Sequence, residues 1–472
     1  MSAAPSFEQR RRMASRVALY CSLAITVAAG FALVAVIDRP ATTGEAERWI
    51  TLDYPHMPEV QLLQRYVQID TSAKTGDELR GARFLAAQLA AAGIQATIET
   101  VGRHALLYAR VEGRDPHPLV LHNHIDVSDV DERQWFSPPF AAKIDLPWMY
   151  GRGVFDMKSV AVAQLLALVD VKKSGRPLAR SVLFLATGDE ETGSELGARW
   201  FIHAHPEMVA SFWAVLTEGG TVEARTRSEI KYWGTEVAQK HYADLVVCGA
   251  SRERLEALRE TLRQAATETD LTLSPVVRQV LGLYGPTRDS AALREALTPP
   301  AALLGDIGRF RRLPPYLRSM LRNEAVPFAI EPAPAGGGWQ MTIKLQLLPG
   351  QKLAAVRDRL VPPWMLHGLD ATLDDPGADG PPSPTDHPVF RQILATIHGD
   401  YPRVPAGPFF LPWTATDARF FRAAGVPSYG FSPFFIMSTD TYQVDRQNER
   451  LALPGFVQGV ELYRKLVRRL AL

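Results

Sequence analysis

Residues 119–127 read LVLHNHIDV, 150–159 read YGRGVFDMKS, 185–194 read LATGDEETGS and 216–220 read LTEGG. Acids and an imidazole stand at the ends of apolar runs in these four segments. The continuous run Leu119–Val127 suits a strand buried on both faces, as do Ser181–Ala186 and Phe212–Leu216. Between them, Val160–Lys172 and Leu196–His203 carry helical spacing. Strand and helix alternate, which predicts an α/β fold with a mostly parallel sheet and helices on both faces.

Upstream, Glu59–Ile69 and Asp77–Ala92 are amphipathic helices, the second stopped by Gly93, and Gln95–Glu99 and Ala105–Val111 are short strands. Downstream, a second unit begins near Lys240. It reads as strand Ala243–Cys248, helix Arg252–Thr267, basic Pro-interrupted pieces over 285–325, strand Trp339–Leu348, helix Leu353–Leu360 and a last strand around Gly368–Leu373. The Pro/Gly/Asp-rich segment 375–388 leads out of it. The alternation then resumes from Val389, with strands near Phe409–Leu411 and Ser428–Phe431, helix Asp417–Ala424 and a final helix Phe456–Leu470. The simplest organisation is one catalytic α/β domain, 58–239 plus 376–472, interrupted by a smaller inserted α/β domain of lid type at 240–375.

The 472 residues are enough for two or three domains. A net charge of +1 gives no sign of a nucleic-acid partner. Cys21 and Cys248 provide no disulfide framework. At the N-terminus a basic segment, 1–16, with Arg10, Arg11, Arg12 and Arg16, precedes an uncharged run, Val17–Ile37. That run has the length of about 20 residues needed to cross a bilayer, and the arginines favour a cytoplasmic N-terminus. The expectation is a transmembrane helix at 17–37, a connector at 38–57 and a catalytic bulk outside the cytoplasm, periplasmic in a bacterium. The alternative is a secreted protein released by signal cleavage.

His124 and Asp126 are two apart at a strand end, so they leave on one face. Such an imidazole can bind metal through one nitrogen while the carboxylate holds the other, although H-x-D alone more often marks a structural hydrogen bond. Asp156, after GRG and before a helix, is by itself an N-terminal helix acid. Glu190 and Glu191 would point opposite ways on an extended segment, one towards metal and one towards water; a solvated acidic turn is the plainer reading. Glu218, before Gly219 and Gly220, is alone only a surface acid. Their common placement at strand C-termini, where open α/β sheets bind ligands, lifts them above those separate readings. Four carboxylates and an imidazole converging there need cations, and mixed N/O donors suit zinc, with manganese or cobalt as alternatives.

The ordered set HNHIDV, YGRGVFDMKS, GDEETGS and TEGG resembles the M20 family of di-metal peptidases and aminoacylases, as do TATDARFF and QNER near the C-terminus. The membrane anchor and the insert at 285–325 make the chain most similar to the carboxypeptidase S and N-acyl-amino-acid hydrolase branch. The resemblance implies a hydrolase for small peptides or N-acyl amino acids with two divalent ions, and a homodimer as one assembly. It implies that His124 binds one ion with Asp126 orienting it, that Asp156 bridges, that Glu190 is the general base, and that Glu191 and Glu218 each hold one ion. His122 would be a neighbour.

Three departures stand against that pattern. Where the family has a histidine ligand three residues before the Asn of the N-E motif, this chain has Asp445, which either replaces it as a ligand or leaves the site weakened. The inserted unit lacks a histidine for the oxyanion. The arginine expected before the Pro-Gly turn is Gln346, with Lys344 on the same strand face as a partial substitute. These departures motivate a second reading, a weak or inactive binding protein on the same scaffold.

Overall fold

The computed structural model describes residues 53–472 apart from 225–228, 266–270, 335, 376–379 and 438–443. The apolar run at 17–37 lies outside the described residues. Among those described, no helix is long and apolar enough to cross a membrane. This overturns the expectation of a membrane-anchored protein with an extracytoplasmic catalytic domain, and that placement is not retained.

The chain first forms two helices, Pro58–Val67 and Glu78–Ala91. The Asp77 side chain accepts the Arg80 N–H at the second helix's start, satisfying one of its unpaired donors. Strands β1 (Ala96–Val101), β2 (His104–Val111) and β3 (Gly113–His124) follow, then the short hairpin β4 (Lys143–Asp145) and β5 (Trp148–Tyr150). Next come β6 (Leu178–Thr187), β7 (Ala214–Thr217), β8 (Thr221–Ala224) and β9 (Ile230–Gln239). The smaller sheet takes β10 (His241–Gly249), β11 (Glu324–Pro332), β12 (Trp339–Leu347) and β13 (Asp370–Asp374). The chain ends through β14 (Ala406–Leu411), β15 (Ser428–Gly430), β16 (Phe435–Met437), β17 (Arg450–Ala452) and the helix Leu453–Ala471.

The large sheet runs β1-β2-β6-β3-β7-β15-β9-β8-β16, with β14 beside β9. It is mixed rather than mostly parallel. β3 is parallel to β6 and β7, and β15 to β7, but β2 meets β6, and β9 meets both β8 and β15, in antiparallel register. The sequence reading also missed β9. All ten of its residues are buried, including Lys231 and Glu236, whose charges are answered by Asp289 and Arg422. Two internal charges disguise a core strand when only hydropathy is read.

Alternate residues of the central strands feed opposite cores, which explains their unbroken apolar runs. Leu119, Leu121, Val182 and Phe184 face the helices Lys158–Lys173 and Leu453–Ala471. Val120, Leu183, Leu185 and Val215 face Phe201, Phe420 and Phe421 on the other side. The smaller sheet, β11-β12-β10-β13, is wholly antiparallel and packs Leu255, Leu258, Leu262 and Val356 against its own core. The later helical pieces before β11, from Pro275 onward, pack elsewhere. Val277, Leu281, Leu297, Phe310 and Leu317 belong to the large core.

Two features of this topology position the site. The C-terminal ends of β6, β3 and β7 lie side by side, with His124 in register with Thr187. A third small sheet, β17-β5-β4, pairs Arg450 with Tyr150 and so brings the segment after residue 443 against the GRG loop.

Candidate metal centre

His124 is the last residue of β3 and is 1% exposed. Its Nδ1 lies 2.9 Å from the backbone oxygen of Asp126 and 3.6 Å from the Asp126 carboxylate. The carbonyl is therefore the nearer partner and fixes Nδ1 as the donor, which leaves Nε2 free to face the acids. Nε2 is 3.1 Å from Asp156 Oδ1 and 3.8 Å from Glu218 Oε1. One ligand atom from each of these three residues lies within 4.8 Å of the others. Asp126 has a second task, since its Oδ2 accepts the backbone N–H of Glu191 at 2.9 Å.

Glu218 reaches the site because Gly219 and Gly220 turn the chain sharply behind it. Gly220 has φ +78°, and a Cβ there would stand 2.3 Å from the Gly234 carbonyl oxygen. Only glycine suits that conformation and that approach.

Glu190 and Glu191 are not extended, as the sequence reading assumed. They open a 3₁₀ turn, Glu190–Thr192, behind Asp189 at φ +65°. Successive side chains on such a turn diverge by about 120°, so the two carboxyls still point apart. The turn rests on Glu78 from the second helix, whose carboxylate occupies the space where a Cβ on Gly188 would sit. Glu78 accepts from the Ala105 N–H at 2.9 Å and lies 2.8 Å from His104 Nδ1.

Burial raises the Glu190 carboxyl well above its ordinary range; the charges of Glu218, Asp417 and Glu191 add to this and His124 opposes it. Burial, then the neighbouring Glu218, lifts Asp156 to about 6. Burial and the charge of Asp156 lift Asp445 to about 7, with Arg152 opposing. Glu191 is driven well above its ordinary range by burial and by Asp445. Glu191 Oε1 and Asp445 Oδ1 are buried with no hydrogen-bond partner. Crowded acids with bare inward oxygens are a donor set that fits divalent cations.

Asp445, at φ +56°, stands close to Arg152, whose Nη1 is 3.5 Å from its carboxylate and whose Nη2 donates to its backbone oxygen at 3.1 Å. Sequence reasoning missed the residue that anchors this side of the site. Glu449 is fully buried, and its carboxylate accepts from Arg152 Nη1 (2.8 Å) and from the backbone N–H groups of Gly153 (3.1 Å), Phe155 (2.8 Å) and Asp156 (3.2 Å). It therefore holds the loop that carries Asp156. Its place in QNER was the available signal. Ser128 was also missed; its hydroxyl donates to Glu191 Oε2 at 2.5 Å.

His122 stays a neighbour. It is buried between Thr217 and Thr187 at 3.0 Å each, and burial lowers its pKa to about 3. Lys344 does not stand in as a free clamp, because it pairs with Asp244 at 2.9 Å, and Gln346 is buried beside it.

The family model for peptidase family M20/M25/M40 matches residues 120–469. The chain belongs to peptidase family M20. Aminoacylase-1A of Rattus norvegicus is 25% identical over 439 residues, covering 88% of this chain and 95% of its own. Among solved structures, an M20 family metallo-carboxypeptidase from Sulfolobus solfataricus aligns with a TM-score of 0.66 at 16% identity, covering 87% of this chain and 99% of that one. A Bacillus subtilis M20 peptidase, described as dinuclear and metal-binding, aligns at 0.53 and 11% identity, covering 87% and 98%. At those identities the solved structures establish the shared fold. This M20 chain is thus a hydrolase of the peptidase and aminoacylase type, and its His124, Asp156 and Glu218 form a candidate metal site on that fold.

Proposed function

We propose that this M20 hydrolase cleaves an amide bond in a small peptide, as a carboxypeptidase does, or in an N-acyl amino acid. The observation that carries the reading is the convergence of His124, Asp156 and Glu218 within 4.8 Å, in electrostatic reach of Glu190. The residues that would hold two divalent ions, zinc first and manganese or cobalt as alternatives, are His124, Asp156 and Glu218, with Glu191 and Asp445. Support for the pair comes from the Bacillus subtilis relative, whose description is dinuclear; support for the substrate class comes from the aminoacylase and carboxypeptidase relatives. When bound, such ions lower the pKa of water and polarise a scissile carbonyl.

The chain's own groups do the rest. Glu190 takes a proton from the attacking water and delivers it to the leaving nitrogen. Asp126 keeps His124 oriented through its carbonyl and steadies the turn of Glu191 through its carboxylate. Glu449 holds Asp156 in place. We assign residues 240–375 to the inserted unit of lid type, built on its own four-stranded sheet, with its helical pieces from Pro275 onward packed on the large core.

The test is hydrolysis of a panel of dipeptides and N-acyl amino acids by the metal-loaded chain, wild type against Glu190→Gln. Turnover confined to the wild type supports the reading, and equal rates end the role of Glu190. A binding protein on the same scaffold, the reading that Asp445 favours, would bind panel members without turning any over.

A further inference from the structure

We propose that the two ion positions of this centre are chemically unequal. His124, Asp156 and Glu218 make a tight zinc-type position, whereas Asp156, Glu191 and Asp445 make an oxygen-only position that accepts a hard, exchangeable cation of the manganese class. The inference rests on the metal-dependent reading above.

The first position is closed and includes nitrogen. Among the described residues, His124, Asp156 and Glu218 are the one group of three ligand types that closes within 4.8 Å. The Asp126 carbonyl, 2.9 Å from Nδ1, takes up that side of the ring, so Nε2 is the nitrogen turned to the acids. One imidazole with two carboxylates is a donor set that favours zinc.

The second position has neither nitrogen nor sulfur. Glu191 offers Oε1, bare and buried, while its Oε2 is taken by Ser128 at 2.5 Å. Asp445 offers Oδ1, which accepts no hydrogen bond but faces Arg152 Nη1 at 3.5 Å. The Asp445 backbone is held beside the site, its oxygen clamped by Arg152 and its φ at +56°. Arg152 is in turn fixed by Glu449 at 2.8 Å. The guanidinium 3.5 Å from Asp445 already answers part of that carboxylate's charge, which weakens the pull on any ion there. Carboxylate oxygens suit magnesium, calcium and manganese, and discriminate less sharply for zinc than an imidazole does. In a medium rich in manganese and poor in zinc, the centre fills with one of each.

The experiment strips the full chain with a chelator, re-equilibrates it with enough zinc chloride to fill both positions against a large excess of manganese chloride, and counts both metals by mass spectrometry after rapid removal of free ions on a desalting column. The wild type should hold one zinc and one manganese per chain, and Asp445→His should hold two zincs. The zinc affinity of the second position should rise in that variant by about 10–100-fold, the range over which a metal's surroundings shift its binding. Crystals of the wild-type mixed form, measured at the two absorption edges, locate each ion without any variant: zinc at His124 and manganese at Asp445 are expected. Two zincs in the wild type, or manganese at His124, overturns the inequality while leaving a metal centre. Binding of neither metal overturns the metal-dependent reading itself.

Discussion

Replacing Glu449 by glutamine keeps the shape of the side chain and removes only its charge and one acceptor. The amide oxygen can still receive Phe155 and Asp156, now at 2.8 and 3.2 Å from Oε1. The amide nitrogen, however, would face two donors, the Gly153 N–H and Arg152 Nη1, now at 3.1 and 2.8 Å from Oε2. Arg152 is 3% exposed, so it loses its main counter-charge inside the protein. Breaking a buried pair in this way costs about 3–5 kcal/mol. Asp445, 3.5 Å from the same guanidinium, still answers part of the charge, which places the expectation near the lower end, about 3 kcal/mol. The assay is urea unfolding of wild type, Glu449→Gln, Arg152→Gln and the double variant. The double variant should cost less than the sum of the singles by about 2 kcal/mol or more, because neither charge is then stranded. The loop holding Asp156 also loosens, so a divalent ion loaded at the site should be released to a chelator at lower concentration in Glu449→Gln. A single variant within about 0.5 kcal/mol of wild type and a coupling near zero would refute the view that Glu449 anchors this loop.

Glu190→Gln should lower kcat/KM by about 10²–10⁴-fold, the usual contribution of a general base, with metal content unchanged by mass spectrometry; loss of metal in this variant would instead make Glu190 a ligand. Gly220→Ala should destabilise the chain by about 2 kcal/mol or more, since the residue sits at φ +78° and its new Cβ would meet the Gly234 oxygen. A melting temperature equal to wild type would contradict this. His104 bears on pH. Its hydrogen bond to Glu78 raises its pKa above the ordinary 6.5, against the effect of burial. A raised folded-state value means that its stabilising contribution is complete below the unfolded value and is lost as pH rises through the folded one. The stability gap between wild type and His104→Asn should therefore shrink from about pH 6 to about pH 9; a gap that widens over that window would reverse the assignment.

The sequence by itself determined the parts that depend on short-range pattern. The apolar runs Leu119–Val127, Ser181–Ala186 and Phe212–Leu216 read as strands buried on both faces, and in the structure they pair in parallel with their ends at one edge. Residues at the ends of such runs, His124 and Glu218 among them, are expected at the sheet edge where open α/β sheets bind ligands. Three other facts were decided by tertiary contact. β9 reads as too charged for a core until Asp289 and Arg422 are found beside Lys231 and Glu236. The turn of Glu190 depends on Glu78, which supports it from more than a hundred residues earlier in the chain. Glu449 and Asp445 join the GRG loop across about 300 residues, through a three-stranded sheet whose members are too short to announce themselves. Periodicity encodes which face of an element is buried. Which charge answers which, across such separations, is settled only when the chain is packed and each buried group must find its partner.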